Sequence, residues 1–261
     1  MSKSRSNAFN VAFYFVTFAV IQLAVGMLLK LIFNEDITAN ATALVLNTIV
    51  ASAIVIILFT CTRWCPVSRQ YLNTRPWDVL IWTMLAALGC NVLSSFIVDM
   101  LGADLPKDYV RLFSQIMDHE LGYFAIGIIG PVAEEVVFRG AILRTLLKLF
   151  DKRMHWWAIF ISALLFAVAH GNVAQGVNAL LLGMLLGWLY YHTGSIIPGI
   201  AFHWSNNTIA YVMMKLMPGS ADMTFSEMCG HDTGKMVLYV FFALCVLLPS
   251  LYQLAGKIRK K

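Results

Sequence analysis

The chain has 261 residues, of which 59% are hydrophobic and only 13% charged, about half the charged share of an ordinary soluble domain. That balance excludes a soluble globular enzyme and predicts an all-α polytopic membrane protein. The formal net charge of +5 does not point to nucleic acid, because the cations gather at the ends of apolar segments, as juxtamembrane cations do.

In chain order, the basic opening MSKSRSN leads into an apolar stretch over 8–33. It is too long for the h-region of a signal peptide and lacks a small-residue cleavage site, so it reads as a retained first span. A hydrocarbon core needs about 20 apolar residues per helix. Segments 8–33, 41–61, 77–101, 121–149, 155–170, 175–192, 196–217 and 235–254 meet or approach that length, which predicts a bundle of about eight transmembrane helices. Between the third and fourth, Asp104 to Glu120 interleaves Val110, Leu112, Phe113 and Ile116 with charges, the pattern of a helix lying on the membrane surface.

Fourteen of the 19 Lys and Arg fall on one side of this layout: Lys3, Arg5, Arg63, Arg69, Arg75, Arg139, Arg144, Lys148, Lys152, Arg153, Lys257, Arg259, Lys260 and Lys261. Lys30, Lys107, Arg111, Lys215 and Lys235 fall on the other, diluted by acidic residues. The positive-inside rule then places both termini in the cytoplasm. The chain divides into a three-span region with the surface helix at 1–120, a core at 121–212, and an outer loop, last span and basic tail at 213–261. The five cysteines, Cys61, Cys65, Cys90, Cys229 and Cys245, show neither a disulfide framework nor metal-ligand spacing. His119, His155, His192 and His231 fall in loops or at interfaces, where solvated or headgroup-level histidines are common.

The fourth span is different, for Glu134, Glu135 and Arg139 lie inside its apolar run. Ionisable residues in hydrocarbon are costly and mark functional sites by default. Glu135 and Arg139, four apart, share a helix face and read as a salt bridge. Glu134, about 100° round the helix from Glu135, is not expected to face the same partner. It is the carboxylate left over. The alternative is a packing lock in which all three charges neutralise one another.

Two histidines join it. His170 follows Phe166 by one turn, and His203 precedes Asn207 by one turn. At about 1.5 Å per residue, Glu134 and His170 each lie about 22 Å from the same end of their spans. His203, only about seven residues into its span, fits that level less well. Either the turn YYHTGSIIPG dips into the membrane, tolerated where backbone is buried in protein, or the span starts earlier. A shielded carboxylate serves as a base for peptide hydrolysis, and a His/Asn pair on one helix face supplies donors for the oxyanion. Metal binding is the alternative use: Glu134, His170 and His203 would be three zinc ligands with water as the fourth, although the HExxH pattern is absent.

Read as EEVVFR (Glu134 to Arg139), FAVAH (Phe166 to His170) and HWSNN (His203 to Asn207), these residues resemble the CPBP family of intramembrane proteases, which includes the type II CAAX prenyl endopeptidases and bacterial relatives linked to bacteriocin processing and self-immunity. The likeness runs from about Gly122 to Ala210 and takes in Gly183, Gly187, Thr193, Gly194 and Ser195. It implies an endopeptidase in which Glu134 and His170 activate water, His203 and Asn207 form the oxyanion hole, and Glu135, Arg139 and Phe166 support them. No cofactor is required on that reading, Zn2+ being the alternative. The implied partners are a protein or peptide substrate at the membrane and the bilayer itself, with no nucleic acid. Gly183 and Gly187 are expected to pack against a helix of the same bundle. A proton-coupled transporter is the competing class; such carriers often repeat interrupted spans in two halves, and no second copy of the charged helix is present. A non-catalytic immunity protein of the same fold is the third reading.

Overall fold

The computed structural model describes residues 3–66, 69–217, 219–220 and 223–258, and among them the chain is helical with no strand. The helices are α1 (Lys3–Phe33), α2 (Ala41–Cys61), α3 (Arg69–Asn73), α4 (Trp77–Met100), α5 (Lys107–Asp118), α6 (Gly130–Glu135), α7 (Arg144–Leu149), α8 (His155–Ala169), α9 (Val173–Thr193), α10 (Ile197–Leu216), α11 (Phe225–Met228) and α12 (Thr233–Ile258). Their ends follow from local chemistry. Asn40 and Asn172 cap α2 and α9 by accepting from Ala43 N at 3.1 Å and Gln175 N at 2.9 Å. Gly194, at φ 64°, ends α9 in the left-handed conformation that glycine adopts without a Cβ penalty.

Among the described residues, five helices are long and apolar enough to cross a membrane: Ser6–Phe33, Ala41–Cys61, Trp77–Met100, Val173–Thr193 and Thr233–Ile258. With the family evidence below, they make the chain a multi-pass integral membrane protein. Three of the eight expected spans fall outside that set, and they are the segments bearing Glu134, His170 and His203. Each departs for a reason tied to its cargo. The charged segment changes helix type along its length, α8 has only 15 residues, and α10 carries His203, Asn206, Asn207 and Lys215.

One apolar core joins the N-terminal helices to the charged segment. Val11, Tyr14, Val55 and Phe59 pack with Val137, Phe138, Ile142 and Leu146, and the Phe18 and Phe138 rings meet edge-on at 5.6 Å. On the other flank, Gly89 of α4 lies so close to α12 that a Cβ would fall 2.7 Å from the Ala243 carbonyl oxygen. α8 and α9 close up in the same way: a Cβ at Gly183 would lie 2.9 Å from Ala163 Cβ, and one at Gly187 2.7 Å from Ile159 Cγ2. The small residues therefore serve packing within the bundle. The amphipathic α5 forms over the segment expected to lie at the surface, burying Ile116 and Met117 while Lys107, Asp108 and Arg111 stay exposed.

Polar contacts mark the two ends of the bundle. Lys257 Nζ meets Asp78 at 2.7 Å at one end, where α12 finishes and α4 begins. At the other, Lys215 meets Asp118 at 2.9 Å and His119 Nε2 lies 3.3 Å from Thr42 Oγ1. His155 stacks on Tyr191 with ring centroids 4.2 Å apart, and His231 Nδ1 lies 3.2 Å from Ser226 Oγ. Among the cations used to argue orientation, the side chains of Lys3, Arg5, Arg69, Arg259, Lys260 and Lys261 lie outside the described residues. Arg139 needs correction, since it is 1% exposed and belongs to the core rather than to a loop.

Candidate functional site

The site starts from an irregular helix. Between residues 122 and 149 the chain is helical throughout, but Phe124–Ile129 and Val136–Leu143 are wound as π-helix, on either side of α6. Such wide turns are rare and recur at functional sites. In the first of them Gly130 N donates to Ala125 O, a five-residue step. The next step would bring residue 131 to the carbonyl of Ile126, but residue 131 is proline and has no N–H to give. Asn207 of α10 fills the gap, donating from Nδ2 to Ile126 O at 2.8 Å. An asparagine amide has two N–H donors, so one remains.

Glu135 and Arg139 form the expected salt bridge, Nη1 to Oε1 at 2.8 Å, with side chains 0% and 1% exposed. Charges so buried persist only when paired and well surrounded. Arg139 also lies 4.5 Å from the centroid of the Phe166 ring and reaches the Gly183 carbonyl with Nη2 at 3.5 Å. Glu135 rests against the first turn of α10, the end at which a helix carries partial positive charge. A Cβ on Gly199 there would fall on Glu135 Oε2, so only glycine leaves room for the carboxylate.

His203 corrects the expectation that the two glutamates face different partners. Its Nε2 lies 3.4 Å from Glu134 Oε2 and its Nδ1 3.4 Å from Glu135 Oε1. The 100° separation of the glutamates still holds along their own helix. The imidazole comes within ion-pair distance of both, while its buried Nδ1 has no hydrogen bond among the described residues. Glu134 is the more open carboxylate, 28% exposed against 0% for Glu135. With Glu135 neutralised by Arg139, the negative charge of Glu134 is the one left, and His203 stands against it.

The level of His203 is explained by the turn before α10. Ser195, Ile196, Pro198 and Gly199 are all buried. Thr193 Oγ1 donates to Leu189 O at 2.7 Å, and Ser195 Oγ accepts from Ile197 N at 3.2 Å. From Ser195 onward the turn is thus packed in the protein, past an exposed Gly194, and α10 carries His203 to Glu134.

His170 caps the C-terminus of α8. Its Nδ1 lies 2.8 Å from the Phe166 carbonyl, and because a carbonyl only accepts, Nδ1 carries the proton. In the neutral ring Nε2 is then a bare acceptor. The Phe166 ring is the common neighbour, with His170 at 4.8 Å and His203 at 5.8 Å between centroids, both edge-on. Among the described residues no hydrogen bond or ion pair joins Glu134 to His170. His170 and His203 flank one aromatic ring, and Glu134 meets His203.

Among the described residues no group of three or more His, Cys, Asp or Glu is placed to hold a metal ion.

Three nearby polar residues were not singled out from sequence. Tyr109 of α5 accepts a hydrogen bond from Gln175 Nε2, and Gln175 Oε1 accepts from Asn172 Nδ2 at 2.9 Å. Burial foremost, and the nearby Glu134 charge further, push the Tyr109 phenol up to about 12, against the opposing pull of Gln175. Nothing in a tyrosine on an amphipathic surface helix distinguishes it from interfacial aromatics in general. Deeper in the bundle, Asn91 of α4 donates to Asn206 Oδ1, and Asn206 to Asn207 Oδ1, both at 3.3 Å.

Comparison with curated proteins and with solved structures gives no match. Residues 120–209 match the family model described as type II CAAX prenyl endopeptidase Rce1-like. That segment contains Glu134, Glu135, Arg139, Phe166, His170, His203 and Asn207. It supports a CAAX-type intramembrane protease, a hydrolase acting on a protein or peptide at the membrane, at the level of the family. The match covers about a third of the chain and, with the three motifs, supports the CPBP family.

Proposed function

We propose that this protein is an intramembrane endopeptidase that hydrolyses a peptide bond in a membrane-associated or lipidated protein or peptide. Glu134 is the base that takes a proton from the attacking water, and His170, with Nε2 free to accept, holds that water beside it. Addition of the hydroxide to the carbonyl carbon moves negative charge from Glu134 to the carbonyl oxygen. His203, already against Glu134, and the second N–H of Asn207 donate to that oxyanion. The proton on Glu134 passes to the leaving amine as the C–N bond breaks. Glu135 and Arg139 hold His203 in place, and Phe166 spaces the two imidazoles.

The observation that carries this reading is the division of labour between adjacent carboxylates. Glu135 is sealed and neutralised, while Glu134 is partly open and meets an imidazole rather than a permanent cation. A packing lock has no use for the second acid. The reading further takes all eight long apolar segments as spans, residues 121–212 as the protease core, and both termini as cytoplasmic. The extent of the family match supports the core, and the contact of Lys257 with Asp78, which brings the end of α12 to the segment bearing Arg75, supports the sidedness. The test is to compare membrane proteins and secreted peptides in cells with the chain, without it, and with Glu134→Gln. Precursors left uncut in the last two and processed in the first are the expected result; processing that is the same in all three would end the proposal.

A further inference from the structure

A polar chain runs from the surface helix to the histidine that, on the reading above, holds the water. Gln175 Nε2 donates to the Tyr109 hydroxyl. Gln175 Oε1 accepts from Asn172 Nδ2 at 2.9 Å, and the same amide nitrogen reaches the carbonyl oxygen of His170 at 3.3 Å. Asn172 Oδ1 in turn accepts from Gln175 N at 2.9 Å, closing a ring of contacts at the start of α9. The connection it braces is short: Gly171, at φ 71°, is the single residue between His170 and Asn172. Among the described residues the other ties of His170 run back into α8: Nδ1 to the Phe166 carbonyl, its ring to the Phe166 ring, and its backbone N to Ala167 O at 3.2 Å. The link through Asn172 is therefore what fixes its backbone from outside the helix.

We propose that Tyr109 and Gln175 are positioning residues for His170, holding the turn between α8 and α9 so that its imidazole keeps a fixed place beside Glu134. The inference rests on the endopeptidase reading. It adds two residues outside the three motifs, one of them outside the segment matched to the family. Tyr109 is suited to the task because its hydroxyl accepts from Gln175 Nε2, while burial pushes its phenol up to about 12. Its ring also stacks on Phe113 at 5.9 Å, which anchors it to α5 without the hydroxyl. Tyr109→Phe therefore deletes the hydrogen bond and keeps the packing. Bond geometry matters at this point because a shift of about 1 Å in a reacting group costs on the order of 100-fold in rate.

The test uses the full chain in vesicles, as wild type, Tyr109→Phe, Gln175→Leu and the double variant, with two readouts. The first is amide exchange over residues 170–176; the second is kcat and KM on a precursor found to accumulate in cells lacking the chain. The single variants should speed exchange there about tenfold and lower kcat by about 10- to 100-fold with KM unchanged, and the double variant should be no worse than the more damaged single, as for groups acting as a unit. Wild-type exchange and kcat in both single variants would overturn the proposal. So would a raised KM with kcat intact, since Tyr109 would then be a substrate contact. If exchange rises in the variants but no form of the chain, wild type included, cuts any precursor, the brace stands and the endopeptidase reading falls.

Discussion

Asn207 reaches across from α10 to donate to the carbonyl of Ile126 at 2.8 Å, the carbonyl that Pro131 leaves without its helical partner. The same side chain is assigned a donor to the oxyanion, and the two roles separate by mutation. Asn207→Leu should lower stability by about 1 kcal/mol, the cost of losing a bond to a half-buried acceptor, and lower kcat by about 100- to 1,000-fold. Adding Pro131→Ala restores an N–H for Ile126. Thermal unfolding in detergent should then recover while cleavage does not. Recovery of both would reduce Asn207 to a structural clamp.

Glu135 and Arg139 are worth more as a pair than either is alone. Arg139→Ala leaves a carboxylate with no cation at 0% exposure, which should destabilise the protein by about 3–5 kcal/mol. Replacing both with apolar residues of similar volume should recover most of that stability yet lower activity, because the Glu135 carboxylate that lies 3.4 Å from His203 Nδ1 is removed. Thermal melts beside cleavage assays would separate the effects. A stable Arg139→Ala would show that the pair does not carry the charge balance assigned to it.

Gly199 should tolerate no side chain. A Cβ there would fall on Glu135 Oε2, and neither the backbone of α10 nor a carboxylate held by Arg139 has room to give. Gly199→Ala is expected to lower both activity and melting temperature, whereas Gly256→Ala, with open space around its Cβ position, should change neither. Equal behaviour of the two would mean that the first turn of α10 is looser than its packing implies.

Much of this was legible in sequence because membrane helices declare themselves by length and charge. The expected 41–61 coincides with α2, and 77–101 and 196–217 differ from α4 and α10 by a residue at one or both ends. The Glu135–Arg139 pair followed from four-residue spacing on a helix. Three features were not legible, each for a physical reason. The π-helical turns depend on which carbonyls find partners elsewhere, as Ile126 does on α10. The approach of His203 to both Glu134 and Glu135 depends on the two edges of one imidazole, which helix spacing does not describe. Tyr109 reaches the site only because α5 folds back over it, and an amphipathic pattern does not say which aromatic points inward.

Metal dependence has a direct check. Prolonged chelation with a membrane-permeant agent should leave the cleavage rate unchanged, given that no three ligands converge among the described residues. Loss of activity restored by Zn2+ alone would reinstate Glu134, His170 and His203 as a ligand set.

The central claim is that Glu134 is the base for water attack, and Glu134→Gln isolates it. The change keeps volume and hydrogen-bonding capacity while removing the proton acceptor, and a general base typically contributes about 100- to 10,000-fold. With wild type and variant purified at equal amounts in vesicles and the rate of peptide-bond cleavage followed on one accumulated precursor, the account predicts a loss of that size with an unchanged melting temperature. Cleavage at the wild-type rate by Glu134→Gln would contradict it.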